Sequence, residues 1–224
     1  MKKYAVIVAG GTGSRMNSST PKQFLYLEGK PILYYSIARF LEAFSDIHII
    51  IVLPEEYINK GEDVINTYFE DKKIDIAIGG NSRFQSVKNG LSKIKEEAVI
   101  FIHDAARCLI SNDLLLRCYQ AVLEHDAVIP VINVADSLRW VSNESNSPLD
   151  RNHIKLVQTP QVFKSALLLP AFEVEYNEVF TDEATVVESM GYQIHLIEGE
   201  TTNIKITNPI DIIVAEKIMQ EKGR

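Results

Sequence analysis

Short β-branched apolar runs alternate along this chain with segments of helical periodicity. That alternation constrains the fold more than any other feature. The runs are "YAVIVA" (4–9), "IHIIIVL" (47–53), "DIAIG" (75–79), "AVIFIH" (98–103), "AVIPVI" (127–132) and "YQIHLIEG" (192–199). Several are apolar at every position rather than at alternate ones, the pattern of parallel strands covered on both faces. The segments between them carry helix-start and helix-stop chemistry. "PILYYSIARFLEAF" (31–44) opens on a proline, and "SRFQSVKNGLSKIK" (82–95) opens with Ser82 and Gln85 at capping-box spacing. "SNDLLLRCYQAVLEH" (111–125) opens on Ser111 as cap. "TDEATVVESMG" (181–191) has Thr181 as the expected cap, acids in its first turn and Gly191 as a stop. "NPIDIIVAEKIMQEKG" (208–223) repeats the pattern of a cap followed by proline. Strand alternating with helix predicts an open, doubly wound, mostly parallel α/β sheet, with ligands held beyond the carboxyl ends of its strands.

One stretch, 133–159, departs from this rhythm. Two strand-like runs, "SLRWVS" and "HIKLVQ", flank a loop rich in Ser, Asn and Pro, which predicts a projecting β-hairpin arm. The arm carries the only tryptophan, Trp140, and is too thin to bury its own surface, so it is expected to pack against another chain. A length of 224 residues suits one domain, 1–224, with this arm attached. The net charge of −7, with no basic run, argues against nucleic acid as a partner, so converging cations are read as tools for a small anion. No apolar run approaches the roughly 18 residues of a membrane span, and the apolar core near the N-terminus is too short for a signal peptide. Cys108 and Cys118 lack metal-ligand spacing and read as reduced, buried thiols. A cytoplasmic protein is expected.

The polar residues after the strands form a coherent set. "AGGTGSRM" (9–16) follows the first run and places three glycines in four residues. Such a turn lets backbone N–H groups face an anion, which makes Ala9, Gly10, Gly11, Thr12 and Gly13 candidate phosphate ligands. The dinucleotide pattern G-x-G-x-x-G would need glycine at position 16, where Met16 stands, and Arg15 and Met16 exclude the Walker pattern. A structural tight turn is the other reading. Arg15 and Lys22, beside the loop, suit a triphosphate whose charge grows as pyrophosphate leaves; ordinary surface cations are the alternative. In "IHDAAR" (102–107), Asp104 at a strand's carboxyl end is a candidate partner for Mg²⁺ or a ribose hydroxyl, or a cap of the following turn. His103 reads as structural. In "GGNSRFQSVKNG" (79–90), Asn81, Ser82 and Ser86 can hydrogen-bond a base edge. Lys205, between two isoleucines in "NIKIT", either snorkels or points at an anion.

Taken together, "AGGTGSRM…PKQF", "GGNSRFQSVKNGL", "HDAAR", "DR…LVQTPQVF", "FTDEA" and "EGETTNIKIT" resemble, in order, the motifs of the 2-C-methyl-D-erythritol 4-phosphate cytidylyltransferases. The resemblance implies a Rossmann-like nucleotidyltransferase of non-mevalonate isoprenoid biosynthesis. It would join CTP to methylerythritol phosphate with Mg²⁺, releasing pyrophosphate. It assigns transition-state stabilisation to Arg15 and Lys22, contact with the reacting phosphates to Lys205, and cytosine reading to Ser86. Asp104 and Arg107 would line the shared substrate region, with Thr159 and Thr181 on the acceptor's path. It implies a homodimer in which the arm presents Asp136, Ser137 and Arg151 to the acceptor in the partner subunit. Ser137 stands where many members have threonine, Gly10 where alanine is frequent, and Cys108 where proline often follows "HDAAR". None of these removes a charge. Ribitol 5-phosphate cytidylyltransferases share the glycine loop and form a rival reading, and a nucleotide-binding protein without catalysis forms another.

Overall fold

The structure is a computed structural model that describes residues 1–11, 16 and 20–222. The chain opens with β1 (Lys2–Val8) and, after the glycine turn, a small ribbon of β2 (Tyr26–Leu27) and β3 (Lys30–Pro31). It continues through α1 (Ile32–Ala43), β4 (His48–Leu53), α2 (Ile58–Tyr68), β5 (Ile74–Ile78), α3 (Arg83–Leu91) and β6 (Ala98–Asp104). Next come α4 (Asn112–His125), β7 (Ala127–Asn133), β8 (Leu138–Val141), β9 (Asn146–Leu149), β10 (Lys155–Val157) and β11 (Gln161–Lys164). The chain closes with α5 (Ser165–Ala171), α6 (Glu183–Ser189), β12 (His195–Glu198) and α7 (Pro209–Lys222).

The main sheet has the order β10-β7-β11-β6-β1-β4-β5, with β12 also paired to β7. The block β6-β1-β4-β5 is parallel, while β11 is antiparallel to both β6 and β7. Residue alternation along the strands divides the core between the two faces. Ala5, Ile7, Ile49, Ile51 and Phe101 pack with Phe40 of α1 and Leu114 of α4. Val6, Ile50, Val52 and Ile100 pack with Val87 of α3, Leu168 of α5 and Val187 of α6. This is the doubly wound arrangement expected of strands that are apolar at every position.

Several local details differ from expectation. The cap of α6 is Asp182, not Thr181: its side chain accepts from Thr185 N–H, and Thr185 Oγ1 accepts in return from Asp182 N–H. A carboxylate one residue further on outcompetes the hydroxyl as acceptor at the helix's positive end. Ser82 and Ser111 do cap α3 and α4, but Gln85 donates to Asn89 rather than closing the capping box. Within 133–159, "SLRWVS" does not pair with "HIKLVQ". β8 pairs with β9, out of the polar loop itself, in register Leu138↔Leu149 and Val141↔Asn146. β10 instead joins the main sheet against β7. The stretch of β7 beyond its pairing with β11 offers backbone partners that a free ribbon cannot match. β11 and α5 carry weak signals, one four residues long and the other interrupted by Pro170. In α2 only Gly61 and Val64 are buried, too few to mark a helical stripe.

Candidate active site

The chain builds β1, β4 and β5 outward in one direction, then returns through α3 to place β6 on the other side of β1. The carboxyl ends of β1 and β6 therefore meet at the point where strand order reverses, where open α/β sheets leave a crevice. Val8 and Asp104 are in register there, and Ala105 N–H donates to Val8 O at 3.0 Å. The crevice is a cleft of about 280 Å³. Its floor is the backbone of Ala9, Gly10 and Gly11, and one wall is Gly80, Asn81, Ser82, Arg83 and Ser86 at the turn and start of α3. Lys22, Asp104 and Lys205 complete it. Gln23 fixes the glycine turn from beneath, donating through Nε2 to Ala9 O at 2.7 Å. Ser86 Oγ accepts from Gly80 N–H at 3.0 Å and donates to Ser82 O at 2.9 Å, which ties the second glycine turn to α3. Gly80 is required there, because a Cβ would lie 2.2 Å from Gln85 Cγ.

Asp104 is the acidic residue lining the cleft, and cations surround it. Lys205 Nζ lies 2.7 Å from Oδ2, and Arg83 lies 3.2 Å from Oδ1. Burial alone would push this carboxyl up; Arg83, Lys205 and Arg107 together outweigh burial and hold it well below the usual carboxylate range. Arg83 also donates to Glu183 of α6, a residue 1% exposed. Burial pushes the Glu183 carboxyl up against the pull of Arg83. Lys205 reaches the cleft because the segment around it is anchored on either side: Asn203 and Ile206 are buried, and Lys205 between them is exposed at the opening. That segment is pinned by Ile206 N–H donating to Ala106 O at 2.9 Å and Asn203 Nδ2 donating to Thr159 O at 2.9 Å. Lys22 Nζ donates to Ile206 O at 2.9 Å, so both lysines converge on one backbone segment.

Behind the cleft, His103 is fully buried. Its Nε2 lies 3.2 Å from Arg107 O and its Nδ1 lies 3.1 Å from Thr159 Oγ1, which itself accepts from Asp104 N–H at 3.1 Å. A carbonyl can only accept, so Nε2 carries the proton and Nδ1 accepts from Thr159. Burial pulls the imidazole down to about 4, so it is neutral.

The other expected site residues lie in different places. Thr12, Gly13 and Arg15 fall outside the described residues. Arg107 does not line the cleft; its guanidinium donates to Asn203 O at 2.8 Å and Val157 O at 3.3 Å, supporting the Lys205 segment. Thr159 is buried beneath Asp104, and Thr181 is exposed just before α6. Arg151 lines a second cleft of about 300 Å³ with Asn133, Ala135 and Lys155, and donates to Ala135 O. Asp136 and Ser137 are exposed in the link from β7 to β8. The two clefts share no lining residue. Among the described residues, no cluster of three or more His, Cys, Asp or Glu could hold a metal, and no helix is long and apolar enough to cross a membrane. Both cysteines are buried and free.

Sequence reasoning missed Arg83 and Glu183. One signal for Arg83 was available: a cation at the first position of a helix opposes the helix dipole and so requires another partner.

The sequence matches the family model of 2-C-methyl-D-erythritol 4-phosphate cytidylyltransferase over residues 4–221. It is 43% identical over 219 residues to the protein of that name from Phocaeicola vulgatus, covering 98% of this chain and 100% of that one. The Bacteroides fragilis protein of that name is also 43% identical, with the same coverage. The crystal structure of the Francisella tularensis 2-C-methyl-D-erythritol 4-phosphate cytidylyltransferase superposes with a TM-score of 0.80 at 30% identity, covering 97% of this chain and 99% of that one. The Thermus thermophilus enzyme of that name gives 0.78 at 29% identity, covering 98% and 100%. With a family match across nearly the whole chain, and a cationic cleft at the switch point of the same fold, this chain belongs to the 2-C-methyl-D-erythritol 4-phosphate cytidylyltransferase family.

Proposed function

We infer that this chain joins CTP to 2-C-methyl-D-erythritol 4-phosphate, giving 4-diphosphocytidyl-2-C-methyl-D-erythritol and pyrophosphate. The observation that carries this reading is the cleft itself: a glycine-rich backbone floor with two lysines and one ionised carboxylate at the switch point, in a chain of this family. A phosphate oxygen of the acceptor attacks the α-phosphorus of CTP; that bond forms as the bond to the bridging oxygen of the β-phosphate breaks, in line. A phosphate monoester has its second pKa at about 6 and is already ionised near neutral pH, so no general base is needed. The obstacle is repulsion between two anions. Lys22, Lys205 and, by its sequence position, Arg15 offset it and stabilise charge on the departing pyrophosphate. Backbone groups from Ala9 to Gly13 hold the triphosphate, and Asn81 and Ser86 face the base. Arg107 and Thr159 act from behind, through the Lys205 segment and Asp104.

A lone carboxylate kept ionised by its neighbours does not make a protein cage for a metal, but it fits Mg²⁺ carried in largely by nucleotide phosphates. Asp104 would hold such an ion, which would supply charge neutralisation at the triphosphate. We assign Asp136, Ser137 and Arg151 to the acceptor bound in a second subunit of a homodimer, with Thr181 on the acceptor's path. In support, Arg151 lines a cleft distinct from the nucleotide cleft, and Trp140 and Val141 on β8 are 64% and 71% exposed. We place the reaction in the cytoplasm, with neither membrane nor nucleic acid as partner. A pyrophosphate-release assay with CTP and Mg²⁺ tests the reading. Rapid release with methylerythritol phosphate and little with ribitol 5-phosphate is expected; the reverse preference, or CTP binding with no release, overturns it.

A further inference from the structure

We propose that Glu183 is a positioning residue for nucleotide binding: it holds the Arg83 guanidinium between two carboxylates and so leaves Asp104 Oδ2 to Lys205, which keeps that lysine seated in the cleft. The proposal rests on the cytidylyl-transfer reading above and extends it to a residue outside the cleft. Arg83 sits at the first position of α3, Glu183 at the first position of α6, and Asp104 at the end of β6. The chain Glu183–Arg83–Asp104–Lys205 alternates carboxylate and cation from α6 into the cleft. The guanidinium divides its two ends, Nη1 toward Glu183 and Nη2 toward Asp104 Oδ1. Arginine and a carboxylate otherwise favour a two-bond fork. Without Glu183, the Arg83 fork would close on Asp104 and occupy both of its oxygens, displacing Lys205 from Oδ2. Glu183 is buried and Arg83 holds one of its oxygens, while Oε2 has no protein donor among the described residues. A buried carboxylate with a single cation is costly to retain for stability alone; a role in orienting Arg83 accounts for it.

The test is equilibrium titration of the folded full-length chain with CTP, comparing wild type, E183Q, R83A and the double variant. E183Q is expected to weaken CTP binding roughly tenfold, and to add less than about twofold in the R83A background, because both act through one guanidinium. A structural role alone would lower the melting temperature and leave the affinity of the folded protein unchanged. E183Q binding CTP within about twofold of wild type, or effects of E183Q and R83A that multiply, overturns the proposal. If E183Q does not fold, R83K decides: its single ammonium lacks the two-ended fork, so a comparable loss is expected and wild-type affinity overturns the proposal. A wild-type chain that binds no CTP at all overturns the cytidylyl-transfer reading first.

Discussion

His103, Asp104 and Lys205 show how one residue's environment sets its task. His103 is buried neutral, with its ring pulled down to about 4 from an ordinary 6.5. Below pH 6.5 the unfolded chain binds a proton here that the folded chain refuses. The stability it contributes is fully present above 6.5 and falls as pH drops toward 4, by at most about 1.4 kcal/mol per pH unit. Asp104 works in a lower window: its carboxyl lies below the ordinary 3.8, so its contribution is present above that value and is lost as pH falls through the depressed one. Urea unfolding at about pH 7.5 and about pH 5 should therefore show a loss of about 2 kcal/mol from His103, and H103Q should flatten that slope. If the two proteins keep the same pH dependence, the neutral assignment of His103 is wrong. In the proposed reaction Lys205 has a chemical task. K205A should keep the fold by circular dichroism and lower kcat by roughly 10²–10³-fold in the pyrophosphate-release assay, and near-normal turnover would remove it from the catalytic set. Asp104 and Lys205 were legible in sequence because each is a charge set against an apolar strand or strand-like run, and Lys22 because it lies just past the glycine loop. Arg83 was not, because the same "NSRFQ" text also satisfies a plain helix start, and Glu183 resembles the acidic first turn of any helix.

At the scale of elements, the alternation of apolar runs located the parallel strands, because burial on both faces leaves no other pattern. What it missed are pairings with partners distant in sequence, that of β10, expected as a strand of the arm, and that of β11, not expected at all. β10 and β11 take their places from β6 and β7, and nothing local in "KLV" or "QVFK" specifies those edges. The turn at 142–145, closed by Ser142 N–H donating to Ser145 O at 2.9 Å, decides that β8 meets β9 rather than β10. The seating of α3 illustrates a further limit. A Cβ on Gly90 would lie 2.7 Å from Val6 Cγ1 and 2.9 Å from Val52 Cγ2. The helix rests on β1 and β4 through that bare backbone. Valine is stiff at χ1, so it cannot swing aside. G90A gains about 1 kcal/mol of helix propensity, but overpacking costs about 1–3 kcal/mol, so a net loss of about 1 kcal/mol is expected in denaturant unfolding. Because α3 carries Arg83 and Ser86, the helix displacement should also weaken CTP binding. A more stable G90A with unchanged CTP affinity would show that the packing of α3 does not set the cleft.

At the scale of the whole molecule, the residues assigned to one reaction divide between two clefts of the same chain, Lys22, Asp104 and Lys205 in one and Arg151 in the other, with no lining residue in common. If the arm serves the neighbouring subunit, this division follows: each active site takes Lys205 from one chain and Arg151 from the other. The exposed Trp140 and Val141 give the arm an apolar surface to seat on that neighbour, since a two-stranded ribbon alone buries too little to hold itself. Complementation distinguishes this arrangement from one chain acting alone. K205A disables the cleft and R151A disables the arm, so each homodimer should be nearly inactive. Unfolding and refolding an equal mixture makes about half the dimers mixed, and in each mixed dimer one site receives an intact cleft from the R151A chain and an intact arm from the K205A chain. Activity should then return to about a quarter of wild type. Were both residues required within one chain, every mixed site would lack one of them and no activity would return. W140E should abolish the recovery along with the dimer, read by sedimentation, because the mixed site exists only while the arms remain docked.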